Sequence, residues 1–198
     1  PYYSLEDGAA EARHVFLEGN DLPQRFRDGF SIAELGFGTG LNLLVTLAAW
    51  GDRAGRFRYT SFEAFPLSAE DHRRALARWP DLAQLAAGLC GHIAASRTVF
   101  SLGPADVSLI TGDARETLVD WNGTVEAWYL DGFSPARNPE LWEPALMAQI
   151  ARHTAPGGSF ATYSAAGDVR RALGEAGFAV ARREGFGRKR HMSVGRLR

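Results

Sequence analysis

After residue 30 the chain alternates short apolar runs with amphipathic stretches. FSIAEL (Phe30–Leu35) reads as a strand running into a glycine turn, and LNLLVTLAAW (Leu41–Trp50) is apolar enough for a buried helix. Arg58–Phe62 predicts a second strand. Ser68–Trp79 predicts a helix, with Ser68 as N-cap and Glu70 and Asp71 in its first turn. Val107–Thr111 and Val125–Leu130 read as strands, and Glu143–His153 as a helix. Pro156–Ser164 is a turn leading into a strand, and Val169–Ala176 is a helix closed by Gly177 at its C-cap position. Phe178–Arg183 and His191–Leu197 predict two last strands joined by GFGRKR, close enough to pair antiparallel. Residues 80–106 carry no assignment. Residues 1–29 fall outside the alternation and predict a helix over Leu5–Leu17, a turn at Gly19-Asn20-Asp21 and a short second helix.

Strands alternating with helices argue an α/β fold with a mostly parallel, doubly wound sheet, ended here by a C-terminal antiparallel strand pair. The expected organisation is an N-terminal helical extension (1–29) on a domain of residues 30–198, the whole forming one unit. A chain of 198 residues, 45% hydrophobic and 23% charged, has enough material for one full core. Its single cysteine, Cys90, excludes a disulfide framework and a cysteine-based zinc site. No apolar run approaches a membrane span and no signal peptide opens the chain, so neither a metal nor a membrane is expected, and a cytoplasmic location is.

The net charge is -1, but it is unevenly spread. Arg182–Arg198 carries seven cations against Glu184 alone. Such an edge suits phosphate binding or merely a solvated tail. Lys189 is the only lysine beside twenty-one arginines.

ELGFGTG (Glu34–Gly40) ends the first strand and opens the first long helix. Glycines at 36, 38 and 40 let the backbone turn sharply and approach a ligand. The spacing is not the G-x-G-x-x-G of a dinucleotide site, and an acid at Glu34 suits a ligand bearing an ammonium better than a pyrophosphate. The order acid-x-Gly-x-Gly-x-Gly resembles the first motif of the Rossmann-like class I S-adenosylmethionine-dependent methyltransferases. Glu63 ends the second strand, where a carboxylate has two oxygens for two ribose hydroxyls. Asp113 follows the third strand, where it can hold an adenine amino group or cap a helix. Three acids at three strand ends beside a glycine turn lie at the edge where open α/β sheets bind ligands.

Asp131 ends the next strand, in WYLDGFSP. If the methyl acceptor is an amine, it is mostly protonated at neutral pH, and a carboxylate there can take its proton. Phe133 can pack against the amine and favour positive charge on nitrogen, and Pro135 stiffens the turn. The plainer alternative is that Asp131 caps that turn.

HVFLEGNDLP, ELGFGTGLN, YLDGFSPARNPELW, ATYSAAGDVRRAL and GFGRKRHM together, from about Ser4 to Met192, resemble the methyltransferase domain of the MnmC-type tRNA enzymes. The resemblance implies S-adenosylmethionine-dependent N-methylation of 5-aminomethyl-2-thiouridine at the tRNA wobble position. It puts Glu34, Gly36, Gly38 and Gly40 at the methionine end of the cofactor, Glu63 at the ribose, Asp113 at the adenine and Asp131 beside the reacting amine. Tyr163 and Ser164 would face the pocket or pack as a strand end. Arg188, Lys189 and Arg190, and more weakly Arg170 and Arg171, would contact tRNA phosphates. Some relatives carry an FAD-dependent oxidase domain; with no second glycine fingerprint, this chain is expected to methylate but not to oxidise. Competing readings are a small-molecule amine methyltransferase, a nicotinamide-dependent oxidoreductase, against which the glycine spacing counts, and a non-catalytic RNA-binding subunit, which has no use for the acids.

Overall fold

The computed structural model describes residues 7–132 and 139–198. In chain order its elements are α1 (Gly8–Ala12), β1 (Phe30–Leu35), α2 (Leu41–Trp50), β2 (Phe57–Glu63), α3 (Ala69–Leu76), α4 (Ala83–Ala94), β3 (Val99–Leu102) and β4 (Ala105–Thr111). Then follow α5 (Ala114–Asp120), β5 (Val125–Leu130), α6 (Pro144–Arg152), β6 (Thr154–Thr162), α7 (Gly167–Glu175), β7 (Phe178–Glu184) and β8 (His191–Leu197). The strands form one eight-stranded sheet in the order β3-β4-β2-β1-β5-β6-β8-β7. β1 runs parallel to both β2 and β5, so the order reverses on either side of it and a crevice opens at the strands' carboxyl ends. β8 is inserted antiparallel between β6 and β7. The turn between β7 and β8 therefore lies at the same edge as the ends of β1, β2 and β5.

Why the site is where it is follows from the pleat. Register pairs Glu34 with Ser61 on one side and with Tyr129 on the other. Alternation along each strand then puts Ile32, Glu34, Tyr59, Ser61 and Tyr129 on one face. That face is covered by α2 and the N-terminal segment, in a core that includes Phe16, Leu22, Leu43, Leu44 and Trp50. The opposite face packs Leu35, Phe62, Trp128 and Phe160 against Leu146, Met147, Ile150 and Leu173 of α6 and α7.

Several elements depart from the sequence expectation. The helix expected over Leu5–Leu17 is α1, capped by Asp7 on the amides of Ala9 and Ala10, and it widens into a π-turn at Arg13–Leu17. The second short helix is absent. Asp21 turns left-handed, and Pro23 disfavours helix at the residue before it. Residues 80–106, left without an assignment from the sequence, fold as α4 and as the hairpin strand β3 on β4. The α3 helix ends at Leu76, three residues before the predicted Trp79. The N-terminal segment is integral to the core: a Cβ on Gly19 would meet the Ala161 Cβ at 2.7 Å, and the buried Asn20 amide donates to the carbonyls of Phe16 and Trp128 at 2.9 and 3.2 Å.

Candidate active site

The glycine turn crosses the end of β5 at very close range. Gly36 has φ +86°, and a Cβ there would stand 2.9 Å from the Asp131 carbonyl oxygen. Gly40 is left-handed too, at φ +79°, and starts α2. The Gly38 amide donates to the Glu63 Oε2 at 2.9 Å, and Glu63 Oε1 accepts from the Phe65 amide at 2.8 Å. Glu63 thus fixes the turn and its own loop while each oxygen keeps a second lone pair. Phe65, next to it, is 79% exposed.

Asp113 caps α5 by accepting from the Arg115 amide at 2.9 Å. The Arg115 guanidinium grips both its oxygens, and this holds the Asp113 carboxyl below the usual carboxylate range. The capping alternative is therefore realised, and a ligand amino group would have to share Asp113 with Arg115.

Glu34 is fully enclosed. Its Oε1 accepts from Asn42 Nδ2 at 2.8 Å and its Oε2 from the Ser61 hydroxyl at 2.8 Å. Burial pushes its pKa up to about 8, opposed by the Asn42 hydrogen bond and reinforced by the charge of Asp131. Its contacts run into the sheet face, not outward. Asn42, buried at 8% exposure, also donates to Asp131 Oδ2 at 2.7 Å. One amide group spends both hydrogens on two carboxylates, which leaves no freedom in its orientation. Thr46, one turn further along α2, shares a hydrogen bond of 3.1 Å with the Tyr129 hydroxyl, so polar groups continue along this face.

Asp131 itself is half-buried. Burial raises its pKa to about 7; the Asn42 hydrogen bond pulls it down, the charge of Glu11 pushes it up, and Lys189 lowers it. Tyr163 lies beside it: its hydroxyl donates to the Gly132 carbonyl. The Lys189 ammonium stands 4.1 Å from the Tyr163 ring centroid and 2.6 Å from Glu11 Oε1.

Of the residues singled out in the sequence, the structure brings together Glu34, the glycine turn, Glu63, Asp131 and Tyr163 at one edge. It lays the Lys189 ammonium, itself exposed, against Glu11 and the Tyr163 ring, and leaves Arg188 and Arg190 exposed beside it. Ser164 is buried, and its carbonyl accepts from Ser193 at 2.7 Å, which makes it a packed strand end. Arg171 pairs with Asp168 on α7 at 2.9 Å. Phe133 and Pro135 lie outside the described residues. Sequence reasoning missed Asn42, Ser61 and Glu11. Asn42 had a signal, a lone amide in an otherwise apolar helix start, and Ser61 another, a polar residue at inward register.

Among the described residues, no helix is long and apolar enough to cross a membrane. The chain is 45% identical over 207 residues to the tRNA 5-methylaminomethyl-2-thiouridine biosynthesis bifunctional protein MnmC of Pseudomonas aeruginosa (strain UCBPP-PA14), covering 98% of this chain and 32% of that protein. It is 44% identical over 199 residues to the protein of the same name from Caulobacter vibrioides, covering 96% of this chain and 34% of that one. It thus spans about one third of the length of these curated relatives. The crystal structure of MnmC2 from Aquifex aeolicus superposes with a TM-score of 0.79 at 28% identity, covering 100% of this chain and 64% of that chain. The pattern of a family described as S-adenosyl-L-methionine-dependent methyltransferases matches residues 82–198. That match takes in Asp113, Asp131 and Tyr163 and more than half the chain, which therefore belongs to this methyltransferase family.

Proposed function

We propose that this chain N-methylates the aminomethyl group of 5-aminomethyl-2-thiouridine at the wobble position of tRNA, giving the 5-methylaminomethyl product, in the cytoplasm where tRNA is found. The observation that carries the reading is Asp131. It is a half-buried carboxylate at the sheet's switch point, held by Asn42, with a pKa of about 7. Such a group is matched to removing a proton from an amine near neutral pH. The identity to the MnmC proteins, whose name specifies this modified uridine, supports the substrate.

The donor set fits S-adenosylmethionine. The backbone of Gly36, Gly38 and Gly40 offers close approach at the methionine end. Glu63 retains acceptor capacity for ribose hydroxyls, the exposed Phe65 offers a face for the adenine, and Asp113 offers an acceptor for its amino group once Arg115 yields. Glu34 acts from behind the turn, by fixing Asn42. Bound there, S-adenosylmethionine supplies an electrophilic methyl group on a sulfonium and leaves as the thioether. The acceptor arrives as an ammonium and must lose one proton before its nitrogen can form a bond. Asp131 Oδ2 already accepts from Asn42, so Oδ1 is the freer oxygen to take that proton. The product amine regains positive charge with its new methyl, and Asp131 passes the proton to solvent.

Arg188 and Arg190, and more weakly Arg170 and Arg171, are assigned to tRNA phosphates. Contacts of that kind orient an RNA without reading its bases. The acceptor must be a free primary amine; an FAD-dependent oxidase that trims carboxymethylaminomethyl is the reaction that would provide it.

Transfer of labelled methyl to tRNA from cells that accumulate the aminomethyl form, followed by digestion and mass analysis, tests the reading. Label on the wobble uridine side chain is expected. Cofactor binding with no transfer to tRNA, but transfer to small amines, would replace the substrate with a small molecule.

A further inference from the structure

Two charged side chains at the acceptor end have no part in the proton transfer assigned to Asp131. Glu11 projects from α1, and Lys189 from the turn between β7 and β8. They meet at 2.6 Å, with side chains 13% and 44% exposed respectively. The same ammonium lies over the Tyr163 ring at 4.1 Å. Tyr163 is tied to the Gly132 carbonyl, one residue from Asp131. A primary ammonium therefore sits in a notch made of a carboxylate and an aromatic face, with a second carboxylate close enough to feel both charges.

This is the chemistry of the proposed acceptor, a primary ammonium on one methylene. We propose that Glu11 is the carboxylate that binds the acceptor's ammonium, and that Lys189 occupies that place until the acceptor displaces it. The inference rests on the amine-methylation reading above and adds the residue that selects the amine. An exchange of one ammonium for another leaves the notch's charge unchanged. That matters because the charges of Asp131 and Glu11 act on one another from the end of β5 and from α1, and a buried carboxylate left without its cation is costly. The displaced lysine has a flexible four-carbon stem and an exposed path outward, next to Arg188 and Arg190, where a phosphate can take it up. The two carboxylates divide the work. Asp131 accepts the proton, and Glu11 keeps a hydrogen bond to the nitrogen both before transfer and after, since the methylated ammonium still carries two N–H groups.

A latch between the N-terminal segment and the last hairpin is the competing role for this pair. Other contacts already latch them: His14 Nε2 bonds the Glu184 carbonyl at 2.9 Å, and Asp21 pairs with Arg183 and Arg196 at 3.4 and 2.7 Å. Those pairs are open to solvent; Glu11 is the enclosed one.

Two variants separate the roles. Glu11→Gln should raise KM for aminomethyl tRNA by about tenfold to a hundredfold, the worth of a charge-assisted hydrogen bond, with kcat changed by less than about threefold. The acid limb of kcat/KM, which reports groups of the free enzyme, should move down in Glu11→Gln and up in Lys189→Met, because one change removes a negative neighbour of Asp131 and the other a positive one. A latch would make the two variants alike. Equal loss of thermal stability with unchanged KM and no opposite shifts would overturn the proposal. A second readout needs no turnover. Lys189 is the only lysine in the sequence, so protein labelled with ¹⁵N-lysine gives one Nζ resonance. Saturating 5-aminomethyl-2-thiouridine nucleoside should move it towards the position it has in Glu11→Gln, whereas 2-thiouridine should not. A resonance that stays fixed with the aminomethyl nucleoside overturns the proposal. Wild-type activity on tRNA with a fixed resonance removes the notch and keeps the methylation reading; a moving resonance without methyl transfer to tRNA keeps the ammonium notch and removes the tRNA substrate.

Discussion

On the side of the crevice that we assign to the cofactor, the carboxylates accept from backbone amides of the turns around them. Glu63 accepts from Phe65 and from Gly38, and Asp113 from Arg115, two residues on. On the acceptor side, Asp131 is held by Asn42 from 89 positions away, and the notch beside it joins Glu11 to Lys189 across 178. The first half is a set of strand ends whose partners lie at most 25 positions away. The second is assembled by tertiary packing, and burial raises the pKa of Asp131 to about 7. A local cap tolerates loss of one partner; a shared buried network does not.

The sharpest way to break this comparison is Asp131→Asn, which keeps the shape and the Asn42 hydrogen bond but removes the base. Single-turnover methyl transfer should fall about a hundredfold to ten-thousandfold, while calorimetry shows S-adenosylmethionine affinity within about threefold of wild type. Equal losses in both would mean that the halves are one unit. Gly36→Ala should strike both halves, because the turn's left-handed backbone and the Asp131 carbonyl leave no room for a methyl. We expect about 1–3 kcal/mol lost in denaturant unfolding, together with weaker cofactor binding.

Glu34→Gln separates them by pH. Glu34 is protonated more readily when folded, to about 8, than in the unfolded chain, near its ordinary value. The folded state then binds the extra proton between those values, so this group's contribution is full below about pH 4 and is lost as pH rises through about 8. Thermal midpoints of wild type should therefore decline over that window more than those of Glu34→Gln; parallel profiles would show that Glu34 is ionised in place. The smallest effect is expected from Arg188→Ala with Arg190→Ala. The salt slope of tRNA binding should drop by about one for each phosphate that is no longer neutralised, with kcat for bound tRNA unchanged.

The glycine turn and the strand ends around it were legible because their signals are local. An apolar run, an acid and three glycines mark the end of β1 within seven residues, and β1 and α2 have the bounds that their apolar pattern predicts. The strand-end acids Glu63, Asp113 and Asp131 could be found the same way. What could not be read was who meets whom. Glu11 looks like any acid on an N-terminal helix until the antiparallel β8 brings Lys189 over it. Lys189, in a basic run, resembles a phosphate ligand, yet the fold points it at Tyr163. Helix α4 was left unassigned although Leu82, Leu85, Ala86, Leu89, Cys90 and Ile93 recur at helical spacing; Gly88 and Gly91 weaken that signal, and Gly88 lies where a Cβ would meet Leu102 at 2.8 Å.

The antiparallel insertion of β8 has a consequence for how much of the chain each half needs. The stretch from β1 to β6 contains the glycine turn and all four strand-end acids, Glu34, Glu63, Asp113 and Asp131. The acceptor notch does not lie within it, because it joins an element near residue 11 to one near residue 189, among the longest-range pairings of the fold. The proposed methyl-donor half thus depends on β1 to β6, while the proposed choice of amine also depends on the last hairpin.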